Sequence, residues 1–360
     1  MQPRPLVSII VPAFNEAAII SENLGVICAY LEELEDRYRW ELIVVNDGST
    51  DETGMLINEF AATRPNVFAL HHSINFQLGQ ALRFAFNNAR GDYFVTFDAD
   101  LSYSPDHIGR LLDEITDSTA KVVIASPYMD GGRTTKVPRI RKIMSRWANR
   151  ILSATAKGKL TTITGMVRAY DAPFLKSLNL KTVDAEINPE IIYKAQILRA
   201  HIVEIPAHLD WTFRQTGGKR RKSAVRMSRS VASSTFSAFL FRPFMFFIVP
   251  GLVVLLLAMY SLGWAAFHVG SALPDTGNLS DAVAVAYADR PHAFIVGGIG
   301  LIVAFQLLSL GFIAVQNKRY FEELFHLGTS ISRRDQAALQ SVESVIPPLD
   351  PADQAVRDGG

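Results

Sequence analysis

Three apolar runs in the first hundred residues end in acidic side chains. One closes as Pro12-Ala13-Phe14-Asn15-Glu16, one as Asn46-Asp47-Gly48-Ser49-Thr50-Asp51, and one as Asp98-Ala99-Asp100. Carboxylates on alternate residues, as at Asp98 and Asp100, can direct oxygen ligands toward one hard cation such as Mg2+ or Mn2+. Alone, such a pair is a weak signal. Three acidic strand ends converging on one edge would make a site for a divalent cation and polar ligand groups, with Asp98 and Asp100 at its catalytic centre.

Basic residues collect at two later places. Arg139, Arg141, Lys142, Arg146 and Arg150 are interleaved with Ile140, Ile143, Met144, Trp147 and Ile151. The apolar positions recur at near-helical spacing, which suits a helix lying in a membrane interface or an ordinary amphipathic surface helix. Lys219, Arg220, Arg221, Lys222, Arg226, Arg229 and Arg242 follow, with no acid among them. A later acidic cluster holds Asp184, Glu186 and Glu190.

The elements that must position these groups alternate. Short β-branched runs at residues 7–11, 42–45, 67–70, 93–97 and 122–125 read as buried strands. Helical spacing appears over 21–34, 78–89 and 105–115, and Ser49-Thr50-Asp51-Glu52 reads as a capping box opening a helix to about residue 62. Repeated strand–helix units imply an α/β fold with a mostly parallel sheet and helices on both faces. Ligands bind beyond the carboxyl ends of such strands, where the three acidic segments fall.

Composition is ordinary overall, with 49% hydrophobic and 20% charged residues in 360. The distribution is uneven: residues 243–267 and 293–316 form uncharged windows of 25 and 24 residues. A membrane span needs about 20 apolar residues, so each window is long enough to cross. Basic residues flank the outer ends of the pair, with Lys318 and Arg319 after the second window. The intervening loop holds Asp275, Asp281 and Asp289 against Arg290. That asymmetry puts both outer ends in the cytoplasm, joined by a short loop on the far side.

The expected organisation is a catalytic domain over 1–222, a basic juxtamembrane segment over 223–242, a transmembrane hairpin over 243–317 and a cytoplasmic tail over 318–360. The tail is polar and proline-containing from about residue 336 and is expected to be disordered in part. No signal peptide is expected, because the apolar run at 6–14 ends in Asn15-Glu16 without a cleavage pattern. The single cysteine, Cys28, excludes an internal disulfide and reads as a helix core residue. A net charge of +1 says little about partners, and no nucleic-acid partner is expected.

The segments VSIIVPAFNE, IVVNDGSTDET and NFQLGQALRFAFNNARGDYFVTFDADLSYSP, with the basic stretch after them, resemble family 2 glycosyltransferases of the GT-A fold. Within that family the chain is similar to the dolichol-phosphate mannose synthase-like polyprenyl-phosphate glycosyltransferases, over roughly residues 6–222. The resemblance implies that Pro12, Phe14, Glu16 and Asp47 hold the nucleoside of a UDP- or GDP-linked sugar. It implies that Asp98, Ala99 and Asp100 approach the ribose and a metal-bound diphosphate. Related enzymes often carry Gln two residues beyond the second aspartate; here Ser102, a weaker metal ligand, stands there. Arg141 and Ser145 match family residues that meet the lipid phosphate. The family's Gly-Ser-Arg is replaced by Ala125-Ser126-Pro127, leaving Arg133 or Lys136 as substitutes for the missing arginine. Residues 164–170 resemble the subgroup's TSGFRAY element. Arg214 and Arg220 match its R-x-x-G-x-x-K diphosphate-binding pattern, with Arg for the final Lys.

An alcohol acceptor must lose a proton as it attacks, which calls for a general base. A lipid phosphate is already anionic and needs only positioning and charge screening. Abundant arginine without an obvious base favours a polyprenyl phosphate acceptor, with the inverting displacement the family implies, at a bacterial inner membrane. Two other readings stand beside it. One is transfer to a lipid or glycan hydroxyl with Asp184 or Glu186 as base; the other is a catalytically silent nucleotide-sugar-binding anchor. The sequence leaves homo-oligomerisation open.

Overall fold

The structure, a computed structural model, describes residues 4–137, 160–212 and 244–343. The chain forms two compact units, Met1–Val231 with Leu324–Gly360, and Ala232–Glu323.

In the first unit the expected alternation is present: β1 (Leu6–Ala13), α1 (Ile20–Glu33), β2 (Arg39–Asp47), α2 (Thr53–Ala62), β3 (Val67–His72), α3 (Leu78–Asn88), β4 (Tyr93–Thr96), α4 (Asp106–Asp117) and β5 (Val122–Ser126). There follow β6 (Arg133–Thr135), β7 (Arg168–Asp171), α5 (Ala172–Ser177), α6 (Ile187–Ile197), β8 (Ile202–Pro206) and β9 (His208–Asp210). Seven strands form one sheet in the order β3-β2-β1-β4-β7-β5-β8, and β6 pairs with β9 separately. All pairings are parallel except those of β7, which runs antiparallel between β4 and β5.

The central strands are apolar on both sides because both faces are covered. Ile9, Val11, Leu42, Val44, Val95 and Phe97 share a core with Ile20, Leu24 and Ile27 of α1 and Ile108, Leu111 and Ile115 of α4. Residues of opposite parity face α3, where the Phe86 ring stacks on Phe94 at 6.0 Å. One buried charge inside the sheet is fully served. Glu41 accepts from the Ser8 hydroxyl at 2.6 Å and from the Arg90 backbone and guanidinium at 2.8–3.0 Å. The TSGFRAY-like segment leads into β7. Its Arg168 is fully buried and donates to the carbonyls of Ile163, Gly165 and Asn188.

The capping box does not form. Helix α2 starts at Thr53 after Glu52, whose side chain makes no capping bond, and Asp51 instead accepts from the Thr53 N–H at 3.1 Å and hydroxyl at 2.5 Å. The Ser49 and Thr50 groups are used elsewhere, against the loop after β1.

Toward the C-terminus, a π-helical turn (Phe244–Ile248) leads into α7 (Val249–Thr276), α8 (Leu279–Asp289) and α9 (Pro291–Glu343). The segments Phe246–Thr276 and Pro291–Thr329 are long and apolar enough to cross a membrane. Only 11% and 17% of their most apolar windows are buried, unlike the core helices of a soluble protein. Small residues let the two approach: a Cβ on Gly297 would sit 2.7 Å from Leu262 Cγ, and one on Gly300 would sit 3.1 Å from the Ala258 Cβ. The connection between the two differs from the short loop expected. Helix α7 continues to Thr276, ends at Gly277 in the left-handed region (φ 72°), and Asn278 caps α8 by accepting from the Asp281 N–H. The last helix also runs to Glu343, past residue 336, where the polar tail was expected to lose order.

Candidate active site

Strand order does the first part of the assembly. Because β2, β1 and β4 are adjacent and parallel, their carboxyl ends lie side by side and bring the three acidic segments to one edge. The loops after β1 and β2 are then tied together. The Asn15 N–H donates to the Ser49 hydroxyl at 3.0 Å, and Asn15 Oδ1 accepts from the Thr50 N–H at 2.8 Å. The Glu16 N–H donates to the Thr53 hydroxyl at 2.8 Å. Asn15 adopts φ 55°, a left-handed conformation that asparagine tolerates better than most residues. Partial burial works to raise the Asp51 carboxyl, but bonds from Thr53 and the Ala17 N–H outweigh it and hold the group below its ordinary value.

Pro12, Phe14 and Glu16 are half-buried at this edge. Asp47 is buried, and its Oδ1 is 2.8 Å from His72 Nδ1 and accepts from the Phe76 N–H at 3.0 Å. The His72 ring stacks on Phe84 at 5.0 Å and meets Phe76 edge-on at 5.1 Å. Gly48 follows with φ 64°, and a Cβ there would lie 2.1 Å from the Ile74 carbonyl carbon. Only glycine lets the 74–76 segment close over the end of β2.

After β4, Asp98 and Asp100 are half-buried on either side of buried Ala99, whose carbonyl accepts from Asn23 Nδ2 at 2.8 Å. The Ser102 N–H donates to Asp100 Oδ1 at 3.0 Å, and the Ser102 hydroxyl donates to Asp98 Oδ2 at 3.4 Å. Leu101 between them has φ 51°, a strained value for a branched side chain. Burial pushes the Tyr103 hydroxyl far above its ordinary range, and the neighbouring Asp98 charge adds to that. The turn is pinned from the other side. The Asp210 N–H donates to the Ser102 carbonyl at 2.8 Å, and the His208 N–H donates to His107 Nε2 at 3.1 Å. His107 is therefore neutral, with Nδ1 donating to the Ser104 carbonyl, and burial lowers its pKa. The chain leaving β9 toward Arg214 thus departs beside the Asp98–Asp100 turn.

Asp184 is exposed and Glu186 half-buried. Burial raises the Glu186 carboxyl above its ordinary value, and the Asp184 charge adds to the rise. Arg141, Ser145, Arg214 and Arg220 lie outside the described residues. Arg133 lies in β6, and Lys136 follows it with φ 51°. Among the described residues no group of three or more His, Cys, Asp or Glu is gathered to hold a metal ion. Sequence reasoning passed over His72 and Phe76. His72 follows the rule of polar groups at strand ends, since it closes β3 beside Asp47, whereas Phe76 contributes a backbone N–H that no residue type signals.

Comparison with known proteins finds a family profile and similar chains. The profile of glycosyl transferase family 2 matches residues 8–178. An undecaprenyl-phosphate mannosyltransferase of Micrococcus luteus is 32% identical over 204 residues, covering 55% of this chain and 80% of that protein. A polyprenol monophosphomannose synthase of Mycolicibacterium smegmatis is 30% identical over 224 residues, covering 60% of this chain and 81% of that one. Among solved structures, the mannosyltransferase PcManGT of Pyrobaculum calidifontis, in complex with GDP-Man and Mn2+, aligns at 17% identity. The alignment covers 92% of this chain and 87% of that one, with a TM-score of 0.43. The chain belongs to glycosyl transferase family 2 and is a glycosyltransferase.

Proposed function

We propose that this enzyme transfers a sugar from a nucleotide diphosphate donor to a polyprenyl phosphate at the cytoplasmic face of a bacterial plasma membrane. The observation that carries the reading is the adjacency of the β2, β1 and β4 ends, which sets Asp47 on the same edge as the Asp98–Asp100 turn. The names of the M. luteus and M. smegmatis relatives support the acceptor, and the apolar helices support a membrane site of action.

Asp98, Asp100 and Ser102 would hold Mg2+ or Mn2+. All three offer hard oxygen atoms, and Ser102 already contacts both acids. Three or fewer protein ligands suit Mg2+, which is usually held by one or two carboxylates plus substrate phosphates and water. A bound ion would neutralise charge developing on the departing diphosphate. Pro12, Phe14, Glu16 and Asp47 hold the nucleoside, and Arg214 and Arg220 reach the diphosphate. Arg141 and Ser145 position the lipid phosphate. Its anionic oxygen attacks the anomeric carbon from the face opposite the nucleotide, the bond to the diphosphate breaks, and configuration inverts. No proton has to be removed.

The raised Glu186 carboxyl favours a second reading, in which an acceptor hydroxyl is deprotonated by Glu186 or Asp184. The test of the first is incubation of the purified protein with a panel of labelled nucleotide sugars and polyprenyl phosphate. A labelled lipid extractable into organic solvent is expected; label moving only to water or to a hydroxyl acceptor would overturn the reading.

A further inference from the structure

We infer that the donor carries uracil rather than guanine, because the structure leaves Asp47 a single carboxylate oxygen with which to recognise a base. The inference rests on the proposed role of Asp47 in the nucleoside site. An ionised carboxylate offers about four lone-pair positions, two on each oxygen. Both positions on Asp47 Oδ1 are used: the Phe76 N–H donates at 3.0 Å, and His72 Nδ1 is at 2.8 Å. Against a carboxylate the imidazole nitrogen acts as the donor. Neither partner can swing away. Phe76 N–H belongs to the segment seated against Gly48, and the His72 ring is held by Phe84 and Phe76. Asp47 itself is 4% exposed, so its carboxylate cannot rotate out to offer both oxygens.

Oδ2 is what remains for the ligand. Uracil presents one N–H between two carbonyls, which a single oxygen satisfies. Guanine presents two adjacent donors, the ring N–H and the exocyclic amine, which a carboxylate pairs in parallel only when both oxygens are available. At Asp47 one of those donors would be enclosed without a partner. Cytosine could offer only its exocyclic amine, and its neighbouring ring nitrogen, which carries no hydrogen, would direct a lone pair at the carboxylate. A polar group left unpaired on binding weakens affinity by about 5- to 150-fold. His72 thereby acts as a specificity-determining residue that touches no ligand itself.

The test measures dissociation constants of UDP, GDP and CDP for the full-length protein in detergent with saturating Mn2+, in wild type and in His72→Phe. UDP is expected to bind about 5- to 150-fold more tightly than GDP or CDP. His72→Phe keeps the ring stack and returns one lone pair to Oδ1, so the GDP-to-UDP ratio should narrow about fivefold. A purely structural role for His72 would weaken all three nucleotides together and leave the ratio alone. GDP binding as tightly as UDP, or a ratio unchanged in the variant, overturns the inference while leaving the donor site in place. Failure of all three nucleotides to bind would overturn the donor site as well.

Discussion

A hard cation takes six or more oxygens, and in the proposed site Asp98, Asp100 and Ser102 would supply fewer, so each carboxylate charge would carry a large share of the affinity. Asp100→Asn keeps the shape and the acceptor for the Ser102 N–H but removes the charge. Transfer is expected to fall at least about 10²-fold across a titration of Mn2+ and Mg2+, with melting temperature and membrane association unchanged. Near-normal activity at any metal concentration would end this assignment. The acceptor is decided by three other side chains. If the nucleophile is a lipid phosphate, Arg141→Ala removes a charge-assisted contact of roughly 1.5–3 kcal/mol. That is about a 10- to 150-fold loss in use of polyprenyl phosphate, with donor affinity little changed. Asp184→Asn and Glu186→Gln should then be mild. A hydroxyl acceptor predicts the reverse, with the base variant losing about 10²–10⁴-fold. At this scale the sequence announces groups that sit on their own strand end, such as Asp47 and Asp98. It is silent on the groups that aim them, because His72 reaches Asp47 through sheet pairing 25 residues away in sequence.

At the scale of elements, one buried ion pair holds a loop against the start of α3. Glu190 on α6 is 2.7 Å from Lys194 one turn on, and accepts from the N–H groups of Lys181 and Thr182. The Val183 carbonyl in turn accepts from the Gln80 N–H at 2.9 Å, so the loop before α6 is laced to the start of α3. Burial works to raise the Glu190 carboxyl, but the bonds from Lys194 and Thr182 outweigh it and leave it below its ordinary value. A carboxylate lowered by folding stabilises the protein above its unfolded pKa, and the contribution is lost as pH falls through the folded one. Glu190→Gln should therefore lower the melting temperature at pH 7, and the difference from wild type should shrink as pH falls below about 4.5. A constant difference between pH 7 and pH 3 would show that the charge is not what stabilises the loop. The strands of the first half were legible because apolar runs bounded by polar turns have few other readings. Two features were not. The Ser49–Glu52 box matched in spacing but failed because Asn15, on another loop, uses Ser49 and Thr50. The antiparallel β7 was read only as a motif, since four residues around a buried arginine carry no strand periodicity.

For the whole molecule, both helices long and apolar enough to cross a membrane were legible from charge-free length alone, while the helical connection between them was masked by its acids and by Pro274. Charge sets the expected orientation: basic residues flank the outer ends of the pair, and the connection carries Asp275, Asp281 and Asp289. Cysteine labelling tests it cleanly because the native thiol is silent. Cys28 is the single cysteine, it is buried, and burial pushes its thiol up to about 11, so little thiolate exists at neutral pH. Ser280→Cys places a reporter on the exposed first turn of α8. Ser341→Cys lies near the end of α9, about 37 Å along the helix from Gln316 at 1.5 Å per residue, well clear of a bilayer. In sealed inverted vesicles an impermeant maleimide should label position 341 at once and position 280 only after detergent. Intact cells or right-side-out vesicles should give the opposite order. Labelling of both positions from the same side would break the hairpin, and with it the placement of the catalytic domain and the tail in one compartment.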